Sequence, residues 1–130
     1  SWIVYAATLA QLALLEIKIG DAERAISLAQ KAREFAVSRG QTNDMIPWLS
    51  LPHTQIVSGD GDRAQQSLID AEKIIREKKA NYHLPYFHEL RALHAKQFDS
   101  PWDTEQELEI AASTRASHGM HAEFYRLDEL

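Results

Sequence analysis

The sequence predicts an all-α fold, an α-solenoid of antiparallel helix pairs with about seven helices. The turn segment Gly20–Ala25 returns 39 residues later as Gly59–Ala64, with glycine, aspartate and arginine in the same order. Under the same shift Ala32 falls on Ala71, and apolar residues beside both turns follow the three-and-four spacing of one helix face. A self-similarity of about 40 residues, made of two helical patterns and a turn, is typical of repeats that bury their apolar faces against neighbouring units.

Composition and charge limit the function classes. The 130 residues suit a single domain, and the 45% apolar and 25% charged residues are the balance of a folded globular protein. The absence of cysteine excludes disulfides and thiol nucleophiles and suits a cytoplasmic protein. The net charge of −5, with Lys and Arg interleaved with acids, disfavours a direct nucleic-acid partner, and no apolar run is long enough for a membrane partner. Because the chain begins at Ser1 rather than Met, we expect an excised piece of a longer protein.

The first helix is apolar nearly all round between Ala6 and Ile19. Thr8, Gln11 and Lys18 form its one polar stripe. A helix of this kind has to be covered on two sides. Two explanations stay open: it packs on its own partner and on the next unit, or an upstream unit or a second copy covers the remaining face. On the second explanation the chain forms a homodimer through the first helix.

The second and fourth helices each carry a packing face of small and apolar residues. Gly20 supplies the left-handed residue that ends the first helix, and Asp21 can accept hydrogen bonds from the first free amides of the second. The predicted packing residues are Ala25, Leu28, Ala29, Ala32, Phe35 and Ala36 in the second helix, and Ala64, Leu68, Ala71, Ile74 and Ile75 in the fourth. Because small side chains let helix axes approach closely, these faces are predicted to form the interior.

The third helix contains two prolines. Thr42 or Asn43 is predicted to open it, and Pro47 lies early enough in the first turn to be tolerated. Pro52 lies inside the helix and is expected to kink it near Trp48, since proline removes a backbone donor and crowds the preceding turn.

The remaining boundaries come from glycine and proline. Gly40 and Gly119 are predicted to close the second and sixth helices, and Pro85 lies in the first turn of the fifth. The segment Ser100–Asp103 is predicted to start the sixth helix, with serine as the cap, proline in the first turn and a carboxylate three residues on. Ala122–Leu130 is then predicted to form a seventh helix. The predicted helix pairs of this single domain span residues 1–40, 41–80 and 81–119, with a partial unit at 120–130.

This pattern resembles the tetratricopeptide repeat. The matching residues are Leu12, Ala13, Gly20, Ala25, Ala32, Trp48, Leu51, Pro85, Tyr86, Phe87, Ala92 and the segment His121–Leu127. The period of about 40 is similar to the variant in MalT-like bacterial transcription activators and related LuxR-type or cyclase-linked regulators. Two departures are Pro52, where the pattern has a small residue, and Arg91, where it often has Leu. The resemblance implies a right-handed superhelix that serves as a sensing or scaffold segment of a larger bacterial regulator.

The first helix of each pair is expected to line the concave side of such a superhelix. Residues off its packing face are therefore the candidates for a groove that holds a protein, a peptide or a small effector: Leu14, Ile17, Lys18, Leu49, His53, Ile56, Tyr86, Glu89, Leu93, Lys96 and Gln97. The alternative for each apolar member is that it packs against a neighbouring helix, since apolar stripes at helical spacing are usually core.

Motifs that would support chemistry are incomplete in this sequence. His118 and His121 have a spacing that could chelate a metal, but no third ligand completes the set. The turn Asp60-Gly61-Asp62 lacks the distal glutamate of a calcium loop, and the chain has no phosphate-binding glycine loop and no nucleophile elbow. We therefore predict no catalytic residues, no metal and no cofactor.

Two functions stay open at this point. The chain is either an interaction or effector-sensing module of a larger regulatory protein, or a structural spacer or dimerisation arm that uses the apolar face of the first helix. Apolar surface on the concave side would favour the first, and apolar surface on the terminal helix would favour the second.

Overall fold

A computed structural model of the protein describes residues 2–39 and 44–117, which form six α-helices and one 3-10 turn. The helices are α1 (Trp2–Ile19), α2 (Ala22–Arg39), α3 (Ile46–Val57), α4 (Gly61–Lys78), α5 (Leu84–Gln97) and α6 (Thr104–Ser117), and the 3-10 turn Asn81–His83 precedes α5. No strand occurs in these two ranges, so the all-α class is confirmed for them. The predicted seventh helix at Ala122–Leu130, and the predicted helix ends at Gly40 and Gly119, lie outside the described residues.

The turns before α2 and α4 have the same geometry. Gly20 and Gly59 are both left-handed, with φ of 103° and 89°. The aspartate after each glycine donates its N–H to the carbonyl five residues back, at 3.0 Å for Asp21 and 2.9 Å for Asp60. The Oδ1 atom of each aspartate accepts from the backbone N–H three residues on, at 3.1 and 3.2 Å. Both aspartates therefore cap the helix that follows, as predicted for Asp21.

Packing brings the odd-numbered helices together. Helix α3 contacts α1, α2, α4 and α5, while α1 also contacts α2 and α5 also contacts α4 and α6. The predicted small residues of α2 are at most 2% exposed, and Ala64, Leu68, Ala71 and Ile75 of α4 are equally buried. The main core also contains Leu9, Met45, Leu49, Ile56, Tyr86, Phe87 and Leu90. No helix among the described residues has the length and apolarity to cross a bilayer.

Helix α3 accommodates both prolines. It begins at Ile46, with Pro47 in its first turn as predicted, while Thr42 and Asn43 lie outside the described residues. The helix continues through Pro52. The kink expected one turn before this proline stays a prediction.

The start of α6 corrects the sequence prediction. The cap is Asp103 rather than Ser100, because α6 begins at Thr104 and Asp103 Oδ2 accepts the Gln106 N–H at 2.9 Å. The hydroxyl of Ser100 lies instead 2.8 Å from Nδ1 of the fully buried His94 and accepts the Trp102 N–H at 3.3 Å. Ser100 and Asp103 are both residue types that can cap a helix. The His94 side chain of α5 engages Ser100, and Asp103 caps α6. Pro85 lies in the first turn of α5, as predicted.

Candidate interaction surfaces

The eleven residues predicted to line a groove divide into core and surface positions. Seven are buried: Leu14, Leu49, His53, Ile56, Tyr86, Glu89 and Leu93. Ile17 is half-buried, whereas Lys18, Lys96 and Gln97 are exposed. Most of the set therefore packs between helices, and a ligand on this side of the folded chain would contact only the four outer residues.

A histidine and a tyrosine pair inside the protein between α3 and α5. His53 Nδ1 lies 2.6 Å from the Tyr86 hydroxyl, and His53 is 1% exposed. Burial, and next the charge of Lys18, lowers the pKa of His53 to about 3. The ring is therefore neutral at pH 7 and works as a packing and hydrogen-bonding group.

A charged cluster that the sequence did not predict joins α4, α5 and α6. Arg91 lies with Nη1 3.4 Å from Glu72 Oε2 and Nε 3.3 Å from Glu107 Oε1, and its guanidinium carbon lies 4.8 Å from the Trp102 ring centroid. His88 Nδ1 lies 2.6 Å from the other oxygen of Glu107, whose side chain is 6% exposed. Arg91 in this cluster neutralises a buried carboxylate of α6.

Other polar side chains near α6 also have structural partners. Glu89, a predicted groove residue, forms an ion pair with Arg115 of α6. His94 Nε2 donates to the Gly61 carbonyl at 2.8 Å. In the described part of the chain, no group of three or more His, Asp or Glu side chains is arranged to hold a metal ion. His118 and His121 lie outside that part.

Two depressions lie along α2, one between α2 and α3 and the other between α2 and α4. The α2–α3 depression, of about 540 Å³, is lined by Gln30, Arg33, Glu34, Val37, Leu51 and Gln55. The α2–α4 depression, of about 360 Å³, is lined by Arg33, Val37, Trp48, Asp70, Lys73, Ile74 and Glu77. Because both include Arg33 and Val37, they form one continuous surface. Val37 is 58% exposed. A valine on the polar side of α2 is the one signal in the sequence for this surface.

Arg33 occupies the boundary between these two depressions. Its Nη2 lies 3.0 Å from Asp70 Oδ2 of α4, and its guanidinium carbon lies 5.2 Å from the Trp48 ring centroid. The charge of Arg33 is thus already matched within the chain, while its flat face covers the indole.

One face of α1 exposes apolar side chains. The exposed apolar residues are Val4 (64% exposed), Leu12 (40%), Leu15 (52%) and Ile19 (76%). They lie on the same side of the helix as Thr8 and Gln11. An arrangement of this size on one helix is typical of a surface that another protein segment covers.

Comparison of the chain with family models, with curated proteins and with solved structures finds no match.

Proposed function

We propose that the chain is a non-catalytic interaction or effector-sensing module of a larger bacterial regulatory protein, built as a tetratricopeptide-like solenoid. The observation that carries this proposal is the shared geometry of the turns at Gly20 and Gly59, each a left-handed glycine followed by a capping aspartate. Together with the contacts of α1 with α3 and of α3 with α5, it supports a row of similar helix pairs. Rows of this kind present long surfaces that bind protein segments.

The exposed features of the chain also support binding rather than chemistry. The surface along α2 combines apolar walls with charged rims, as peptide-binding surfaces do. The two buried carboxylates of the described residues, Glu89 and Glu107, form ion pairs within the chain with Arg115 and Arg91. Other domains of the parent protein, a peptide or a small effector are the partners we propose.

Display selection of random peptides on the immobilised, folded chain tests this function. We expect independent selections to give peptides that compete with one another for a common surface. A chain that enriches no competing peptides would contradict the proposal.

A second candidate function, a spacer or dimerisation arm, is favoured by the exposed face of α1. Under the 39-residue shift, Leu12 and Leu15 correspond to Leu51 and Thr54 of α3, which are 4% and 1% exposed. Leu51 is covered by the first helix pair, where it packs with Ala29. The exposed residues of α1 thus correspond to residues of α3 that the first helix pair covers. A second copy of the chain is a suitable cover for the α1 face.

Leu15→Glu is expected to convert such a dimer to a monomer. A carboxylate placed at the centre of an apolar interface is desolvated without a partner, which raises the dissociation constant at least tenfold, or about 1.4 kcal/mol. Sedimentation velocity at several concentrations measures the change. Ile69→Glu on α4, a position of similar exposure at 46%, is the matched control and should leave the dimer intact. A wild-type chain that stays monomeric at high concentration removes this candidate.

A further inference from the structure

Gln55 lies at the base of the α2–α3 depression with an unused hydrogen-bonding group. Gln55 is 6% exposed, and its Oε1 atom has no hydrogen-bond partner among the described residues. A buried amide oxygen without a partner destabilises the folded chain. The missing hydrogen bond is therefore available to a group that enters the depression.

The next unit shows how the same position is satisfied when the chain itself fills the space. Under the 39-residue shift Gln55 corresponds to His94, which is fully buried. Both ring nitrogens of His94 have partners at 2.8 Å, the Ser100 hydroxyl and the Gly61 carbonyl. Phe98 and Trp102 pack beside the ring, with centroids 5.1 and 5.2 Å away. The two positions share a register, yet only Gln55 lines the α2–α3 depression and has an unpartnered polar atom.

We propose that the α2–α3 depression binds an extended peptide segment whose backbone amide pairs with Gln55 and whose basic side chain lies against Glu34. This inference rests on the proposed interaction function and names the partner class. A glutamine amide offers one acceptor and two donors, so it can accept a peptide N–H and donate to a peptide carbonyl at once. Val37 and Leu51 provide apolar walls for an aliphatic side chain of the segment.

The uncompensated charge at the α2–α3 depression, that of Glu34, favours a basic segment. Arg33 is already paired with Asp70, whereas Glu34 is exposed and has no ion pair among the described residues. The net charge of the whole chain is −5, which attracts cationic partners over longer distances. The depression is open and continues past Arg33 and Val37 into the α2–α4 depression, a shape that suits an extended chain better than an enclosed small molecule.

Titration of the isotope-labelled chain with two capped octapeptides, followed by amide NMR shifts, tests the site. The peptides differ only at the centre, Leu-Lys in one and Leu-Glu in the other. We expect the Leu-Lys peptide to bind at least tenfold more tightly and to shift the side-chain amide of Gln55 and the backbone amides of residues 30–37. Gln55→Leu should weaken binding about tenfold, the loss of one or two hydrogen bonds. Glu34→Gln should remove the preference for lysine.

Gln106→Leu is the matched control, because Gln106 is an exposed glutamine of α6 that lies outside every proposed binding surface. It should leave binding unchanged. Urea midpoints check folding, and Gln55→Leu should keep or raise the midpoint because it removes an unpaired polar atom. If that midpoint falls instead, the surface variant Glu34→Gln still decides the test.

Three other outcomes overturn this inference and leave the interaction function standing, provided that display-selected peptides bind. One is unchanged affinity in Gln55→Leu, a second is loss of binding in Gln106→Leu alone, and a third is an octapeptide that shifts no amide near Gln55, so that the depression holds only water. If neither the octapeptides nor any selected peptide binds, the interaction function itself fails.

Discussion

Lowering the pH from 7 to 4 is expected to reduce the free energy of unfolding by about 3 kcal/mol through His53 alone. Burial, and next the charge of Lys18, lowers the pKa of this histidine from 6.5 to about 3 in the folded chain. Between those two values the unfolded chain binds a proton that the folded chain does not. The part of the unfolding free energy that depends on a neutral His53 ring is therefore fully present above pH 6.5 and is lost as the pH falls toward 3. Urea unfolding at a series of pH values measures it.

Two variants separate this histidine from general acid denaturation. His53→Asn removes the titrating ring, so its stability should depend on pH less steeply by the same amount. Tyr86→Phe removes the hydroxyl 2.6 Å from His53 Nδ1 but leaves the ring buried, so it should lower stability by about 1 kcal/mol and keep the steep dependence. Burial also lowers the pKa of His83, against the opposing charge of Asp44, and accounts for a residual slope of the same sign. Equal slopes for the wild-type and His53→Asn chains would contradict this explanation.

Arg91→Leu is expected to lower the free energy of unfolding by about 3–5 kcal/mol. The substitution introduces the residue that the tetratricopeptide pattern often has at this position. It also removes the guanidinium 3.3 Å from the Glu107 carboxylate, 6% exposed, which among the described residues keeps only its contact with the His88 ring, and it uncovers the Trp102 ring. A buried charge that loses its partner costs far more than an exposed one. Urea unfolding monitored by circular dichroism gives the difference.

Arg76→Leu is the matched control, since Arg76 binds the same Glu72 at 3.1 Å but has a side chain that is 75% exposed. Its loss should cost at most about 1 kcal/mol. The double variant Arg91→Leu, Glu107→Leu should recover most of the stability, because it removes both charges together. Equal losses from Arg91→Leu and Arg76→Leu would show that the cluster does not stabilise the fold in this way.

The sequence predicted the features that depend on local geometry. The all-α class of the described residues, the left-handed Gly20, the cap at Asp21 and the small-residue face of α2 follow from spacing and backbone preference, and each is confirmed. The end of α4 was not predictable in this way. Lys79 takes the left-handed conformation there, with φ of 53°, although lysine gives no such signal.

Features that depend on contacts between distant residues could not be read from spacing. A helical stripe identifies which residues share a face, but it does not tell which neighbour covers that face, so seven predicted groove residues are core. The pairing of Arg91 with Glu107 and the engagement of Ser100 by His94 likewise depend on how α6 packs against α5. The unpartnered oxygen of Gln55 is visible only once the side chains of α2 and α3 are in place.

Competition between independently selected peptides on the folded chain tests the central claim, that this protein binds protein segments, most directly. The account predicts peptides with dissociation constants of about 10 μM or less, or at least 7 kcal/mol of binding free energy, that displace one another and lose affinity when urea unfolds the chain. Peptides that bind the unfolded chain equally well, or that never compete for one surface, would contradict it.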